Sequence, residues 1–178
     1  MRILIVSLPR TGSTSLLKKI STEKNLTPIF EPFAPNNNKI ENFKTKYEGE
    51  DDVVIKTLIT EVPNNNQNKV EWFVNFSLDF DKVILLTRRD LSECAKSWAY
   101  LTYQREYSKP NFNAYSEYYW EPTPNYEMVK KQITKWDLEL REISKKLNME
   151  LTFYEDIFDL NSEERLRKGD KKNEIKLI

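Results

Sequence analysis

The chain has 178 residues, of which 39% are hydrophobic, enough for a real core in one domain. Basic and acidic residues balance at 28 each, so no global field favours nucleic acid or a membrane surface. With no histidine and one cysteine, Cys94, an internal disulfide is excluded, a structural zinc site has no ligand set and the commonest general base is missing.

Nothing in the chain approaches the roughly 20 apolar residues of a membrane span, and it opens as a strand rather than as a leader peptide. A cytoplasmic protein is expected, without membrane or nucleic-acid partners.

The first twenty residues, MRILIVSLPRTGSTSLLKKI, organise the rest. Ile3 to Val6 read as a buried strand. A turn-forming segment, Ser7 to Thr14, follows. From Ser15, the spacing of Leu16, Leu17 and Ile20 suits one face of a helix. Strand, tight loop and helix aim backbone N–H groups and the positive helix end at one point, the geometry of an anion site. A bare polar turn is the plainer alternative.

Further strands are expected at Thr27–Phe30, at Val53–Ile55 ending in Lys56-Thr57, at Lys82–Thr87 and at Leu151–Tyr154. Helices are expected at Asn68–Leu78, at about Leu91–Tyr103 and at Tyr126–Leu147. Prolines stop regular structure after Glu31, and a helical turn is expected around Ile40–Phe43. Asn36–Asn38 and Asn64–Asn66 mark loops. The aromatic, proline-interrupted stretch 104–125 reads as a substrate-side cap, and 161–178 as a helical, then basic tail.

Alternating strands and helices give an α/β fold, a single P-loop-like domain over 1–178 with a mostly parallel central sheet flanked by helices. Ligands bind such folds outside the carboxyl ends of the strands. Arg10, Glu31, Lys56, Arg89 and Tyr154 all fall there.

The first loop differs from a Walker A loop. Ser7 stands at its first glycine and Ser13 at its lysine, while Gly12 and Thr14 fit. Pro9-Arg10-Thr11-Gly12-Ser13-Thr14 instead resembles the 5′-phosphosulfate loop of sulfotransferases that use 3′-phosphoadenosine 5′-phosphosulfate (PAPS). Four later segments are similar to the same family, in order. Lys82–Ser97 resembles its 3′-phosphate segment, with Arg89 and Ser97 eight positions apart. Without a ligand, Arg89 would be solvated beside Asp90 as a helix cap. Val53–Thr57 looks like the strand that ends in Lys-Thr-His, with Leu58 in place of the histidine. Phe153–Ile157 resembles a segment whose tyrosine, here Tyr154, faces the nucleotide. Arg167-Lys168-Gly169 is similar to a C-terminal phosphate clamp, and would equally suit a solvated tail. Ser15 replaces an adenine-stacking tryptophan, and the brevity and Asn/Lys-rich loops suit a compact bacterial or viral form, cytosolic in the host if viral.

The resemblance implies transfer of the sulfuryl group of PAPS to a hydroxyl or amine acceptor of unidentified class (small molecule, sugar or peptide), releasing adenosine 3′,5′-bisphosphate. No metal is required. Arg10, Thr11, Gly12, Ser13, Thr14, Arg89, Ser97, Tyr154, Arg167, Lys168 and Gly169 would bind the nucleotide. Arg10 and Lys56 would act at the reacting end, with Glu31 as base in place of histidine. Glu31 could instead only pair with Arg10, and Glu61 and Glu155 are rival carboxylates. A P-loop kinase-like nucleotide enzyme, with Asp90 as magnesium ligand, is the alternative reading; a non-catalytic nucleotide-binding protein of the sulfotransferase fold is the third.

Overall fold

The structure, a computed structural model, describes residues 1–34, 50–62, 68–107 and 123–158, with only the backbone for 104–107. The expectations for Asn36–Asn38, Ile40–Phe43, Asn64–Asn66, residues 108–122 of the cap and the tail, including Arg167, Lys168 and Gly169, lie outside the described residues.

The fold is α/β. Five strands, β1 (Arg2–Ser7), β2 (Thr27–Phe30), β3 (Val53–Leu58), β4 (Lys82–Thr87) and β5 (Thr152–Phe153), form one sheet in the order β2-β3-β1-β4-β5. The β1–β3, β1–β4 and β2–β3 pairs are parallel. Five described helices accompany them: α1 (Ser13–Lys24), α2 (Lys69–Ser77), α3 (Leu91–Tyr107), α4 (Tyr126–Leu147) and the single turn α5 (Tyr154–Ile157). The chain forms two compact units, Met1–Thr87 with Trp136–Thr152, and Arg88–Lys135 with Phe153–Ile178.

In the first unit, β1 is central, and Ile3, Leu4, Ile5 and Val6 are buried on both faces. This is why β1 reads as an unbroken apolar run rather than an alternation. Register fixes the edge where the strands end: Ile5 lies opposite Lys56, and Phe30 lies beside Lys56 from the other side. Leu16, Leu17 and Ile20 of α1 are buried as their spacing predicts, but α1 begins at Ser13, two residues before the expected start. Asn25, in the left-handed region, ends α1, and Asn148 ends α4 in the same way, with Met149 N–H donating to the Ser144 carbonyl at 3.0 Å.

The Asn68 side chain caps α2 by accepting from the Val70 and Glu71 N–H groups. Lys69 pairs with Glu139, and Lys146 with Glu71, tying α2 to the second half of α4. Val129, Ile133, Trp136, Leu140 and Ile143 of α4 are buried as expected. A side chain of this size stabilises by about 1.5–3 kcal/mol when fully buried.

In the second unit, Asp90 caps α3, accepting from Ser92 N–H at 2.9 Å and Glu93 N–H at 3.2 Å. The helix runs to Tyr107, one turn past the expected end, and buries Cys94, Ala95, Ser97, Ala99 and Tyr100. The expected strand Leu151–Tyr154 is shorter: after Phe153 the backbone turns helical, so Tyr154 opens α5. Phe158 N–H donates back to the Tyr154 carbonyl and closes that turn.

Candidate functional site

The first unit gathers its chemistry at the carboxyl ends of β1, β2 and β3. After β1 the chain turns through Leu8–Gly12. The Thr11 hydroxyl, buried, donates to the Leu8 carbonyl at 2.8 Å and locks the turn. Gly12 takes φ 69° and stands at the start of α1, whose first N–H groups receive no side-chain cap there. A helix end without a cap leaves donors for a ligand. Ser13 is buried and Thr14 exposed. The Ser7 hydroxyl, at the base of the loop, is fully buried without a hydrogen-bond partner among the described residues.

Four non-glycine residues among those described have positive φ: Arg10 (63°), Asn25 (53°), Glu31 (41°) and Asn148 (51°). The two asparagines are helix ends, where that residue type is at ease. The other two are charged, and each lies just past a strand end. Holding a residue with a Cβ in this region costs about 1–2 kcal/mol, and such strain concentrates at functional positions. Arg10 and Glu31 stand out in the sequence by their charge, and Pro32 marks the Glu31 backbone as stiff, but the left-handed conformation of the two is visible only in the structure.

Lys56 is the most unusual charge in this unit. It lies within β3 and is only 3% exposed. A buried ammonium needs a partner. The Glu31 carboxylate supplies it through a hydrogen-bonded ion pair, and the Glu31 N–H also donates to the Lys56 carbonyl at 2.7 Å.

Glu61, weighed above only as a rival to Glu31, lies four residues after Thr57 and is 7% exposed. Its Oε2 accepts from the Thr57 hydroxyl at 3.1 Å and from the Leu58 N–H at 3.0 Å. Burial pushes its carboxyl up to about 7, and the negative charge of Glu31 adds to the rise; the Leu58 N–H, Lys56 and the Thr57 hydroxyl oppose it. Two carboxylates and a lysine thus share this sheet edge.

Asp137 is a further buried carboxylate, and sequence reading passed over it. It accepts from the Thr87 hydroxyl at 2.6 Å and from Arg141 Nε at 2.6 Å. The available signal was an acid between Ile133 and Leu140 on the apolar face of α4. It fastens α4 to the end of β4.

The second unit holds a separate cluster. Arg89 offers both terminal nitrogens to Asp156, at 2.7 and 2.8 Å, and stacks on the Phe153 ring at 4.4 Å. Arg88 lies over the Tyr154 ring at 4.5 Å and pairs with Glu155 at 3.8 Å. Glu155 also accepts from the backbone N–H groups of Arg89 and Asp90. Two segments that the sequence assigns separately to nucleotide binding are therefore interlocked. Arg89 is exposed, as a solvated residue beside the Asp90 cap would be, and it is also paired with Asp156, which raises its pKa. Ser97 is buried within α3.

No protein-family model matches the chain, and no curated protein matches it.

Proposed function

We propose that the chain is a PAPS-dependent sulfotransferase. The observation that carries this reading is the buried Lys56–Glu31 ion pair on β3 and the end of β2, on the same sheet edge as the carboxyl end of β1, from which the chain runs into the uncapped start of α1. An acceptor oxygen or nitrogen attacks sulfur, and the bond from sulfur to the bridging phosphate oxygen breaks. The acceptor proton passes to Glu31. The negative charge left on the phosphate is met by the N–H groups at the start of α1, by Arg10 and by Lys56. Fixed donors of this kind stabilise charge without reorganising, and holding the reactants in line supplies much of the remainder.

Arg89, Ser97 and Tyr154 take the 3′-phosphate and nucleotide in this reading, with Arg89 leaving Asp156 as the phosphate arrives. The resemblance assigns Arg167, Lys168 and Gly169 to the same phosphate.

The test is to incubate the full chain with PAPS and a panel of alcohol, phenol, sugar and amine acceptors while following adenosine 3′,5′-bisphosphate. Acceptor-dependent release that disappears in Lys56→Ala is the expected result. No release with any acceptor, together with no binding of the bisphosphate, overturns the reading.

A further inference from the structure

The first unit carries a second feature that the loop and the ion pair do not use. Among its described residues, Asn68, Glu71, Trp72, Asn75 and Phe76 line an open cleft of about 350 Å³. These positions recur at three- and four-residue steps and share one face of α2. Trp72 and Phe76 are stacked at 4.8 Å with their planes 15° apart. Phe33 meets both edge-on, at 5.1 and 5.3 Å. Phe73 also meets Trp72 edge-on, at 4.8 Å, so the wall belongs to a cluster of aromatic rings.

We propose that this cleft is a saccharide-binding site for a neutral sugar, with Trp72 as the stacking ring and Asn68, Asn75 and Glu71 as the polar rim. A bare aromatic wall would suit any apolar partner, and the rim is what narrows the choice. Asn68 has its carbonyl oxygen fixed by the cap of α2, which leaves its NH₂ to donate. Asn75 is exposed and offers both a donor and an acceptor. Glu71 Oε1 is held by Lys146 at 2.8 Å, which fixes the carboxylate and leaves its other oxygen to accept. A sugar has one face of C–H groups that packs on a ring, and hydroxyls around its edge that donate and accept together. That matches an aromatic surface that includes Trp72, with a mixed amide and carboxylate rim. Glu71 is balanced by Lys146, so the rim offers an anion no unpaired cation and suits an uncharged ligand.

Phe33 lies two residues after Glu31, so the corner Glu31-Pro32-Phe33 joins the aromatic wall to the ion-paired carboxylate. The bound sugar is then the acceptor hydroxyl compound; this clause alone rests on the sulfotransferase reading.

The experiment titrates the full chain with cellobiose, maltose and N,N′-diacetylchitobiose, reading tryptophan fluorescence and amide chemical shifts. Adenosine serves as a stacking control, and adenosine 3′,5′-bisphosphate is titrated separately. At least one disaccharide is expected to saturate at millimolar concentration. Asn75→Ala should weaken it about fivefold or more, and Trp72→Ala should abolish it. Trp72→Phe keeps a ring if the alanine variant fails to fold, and should still weaken binding. The proposal is overturned if no disaccharide saturates, if neither Asn75→Ala nor Trp72→Phe changes the affinity, or if adenosine binds the cleft as well as any sugar. Bisphosphate binding without sugar binding removes the cleft alone. Sugar binding without bisphosphate binding, and without release from PAPS, leaves the cleft and removes the sulfotransferase.

Discussion

Glu31 and Lys56 are joined twice: their side chains form an ion pair, and the Glu31 N–H donates to the Lys56 carbonyl at 2.7 Å. The backbone link holds Glu31 at its positive φ, and the side-chain link compensates a buried ammonium. Glu31→Gln should therefore do two things. Turnover should fall by about 10²–10⁴-fold if Glu31 takes the acceptor proton. Thermal stability should also fall, because Lys56 loses its compensating charge. Glu31→Gln with Lys56→Met restores stability but not turnover. Steady-state rates and melting curves on the three variants check both parts; full turnover in Glu31→Gln moves the base elsewhere.

Glu61 makes stability depend on pH. Its folded carboxyl lies near 7, above the ordinary 4.5. The folded chain therefore holds a proton that the unfolded chain has released across that window. This contribution is complete below the lower value and is lost as pH rises through the upper one. Stability from this group should drop by about 3 kcal/mol over the window. Glu61→Gln should flatten the trend, as read by urea midpoints at pH about 4.5 and about 8. An unchanged slope would mean that Glu61 titrates as an ordinary carboxylate.

Asp156 competes for the fork of Arg89. Asp156→Asn should tighten adenosine 3′,5′-bisphosphate a few-fold, while Arg89→Ala should weaken it about 10- to 100-fold and leave adenosine 5′-phosphate little changed. Calorimetric titration of both ligands decides. Equal losses for the two ligands would detach Arg89 from the 3′-phosphate.

The left-handed loop residues give opposite expectations. Gly12→Ala places a Cβ at φ 69° and should cost about 1 kcal/mol or more. Arg10→Gly relieves φ 63° and should stabilise by up to about 1 kcal/mol while lowering turnover. A gain in stability together with a loss of rate in Arg10→Gly would identify strain maintained for function; a loss of both would make the arginine structural.

Asp137→Ala leaves the buried Thr87 hydroxyl and Arg141 without their shared acceptor. A loss of about 2–3 kcal/mol is expected, with a smaller loss for Asp137→Asn. Chemical denaturation measures it. A loss no larger than that of an exposed residue would remove Asp137 from the core of the fold.

Much of the framework was legible because its signals are local. The bounds of β2, β4 and α4 follow from apolar runs and period, and Asp90 reads as a cap from its place before a helix. Lys56 was readable as a charge after an apolar run, although β3 continues through it to Leu58. What was not readable depends on pairings distant in sequence. The partner of Lys56 lies 25 residues away, and that of Arg89 lies 67 away. The raised Glu61 carboxyl depends on burial, which a sequence of ordinary polarity around Ile59-Thr60-Glu61 does not announce. Tyr154 was assigned to a strand because its run is aromatic, but the turn that follows Phe153 draws it into a helix.

Cys94 is the chain's single thiol, and α3 buries it completely. A thiol-specific reagent can therefore reach only molecules in which the packing around Cys94 has opened locally. Its rate of modification under native conditions reads the free energy of that opening directly. Mixing the chain with adenosine 3′,5′-bisphosphate before the reagent turns Cys94 into an intrinsic gauge of how far nucleotide binding tightens α3, with no label added to the protein.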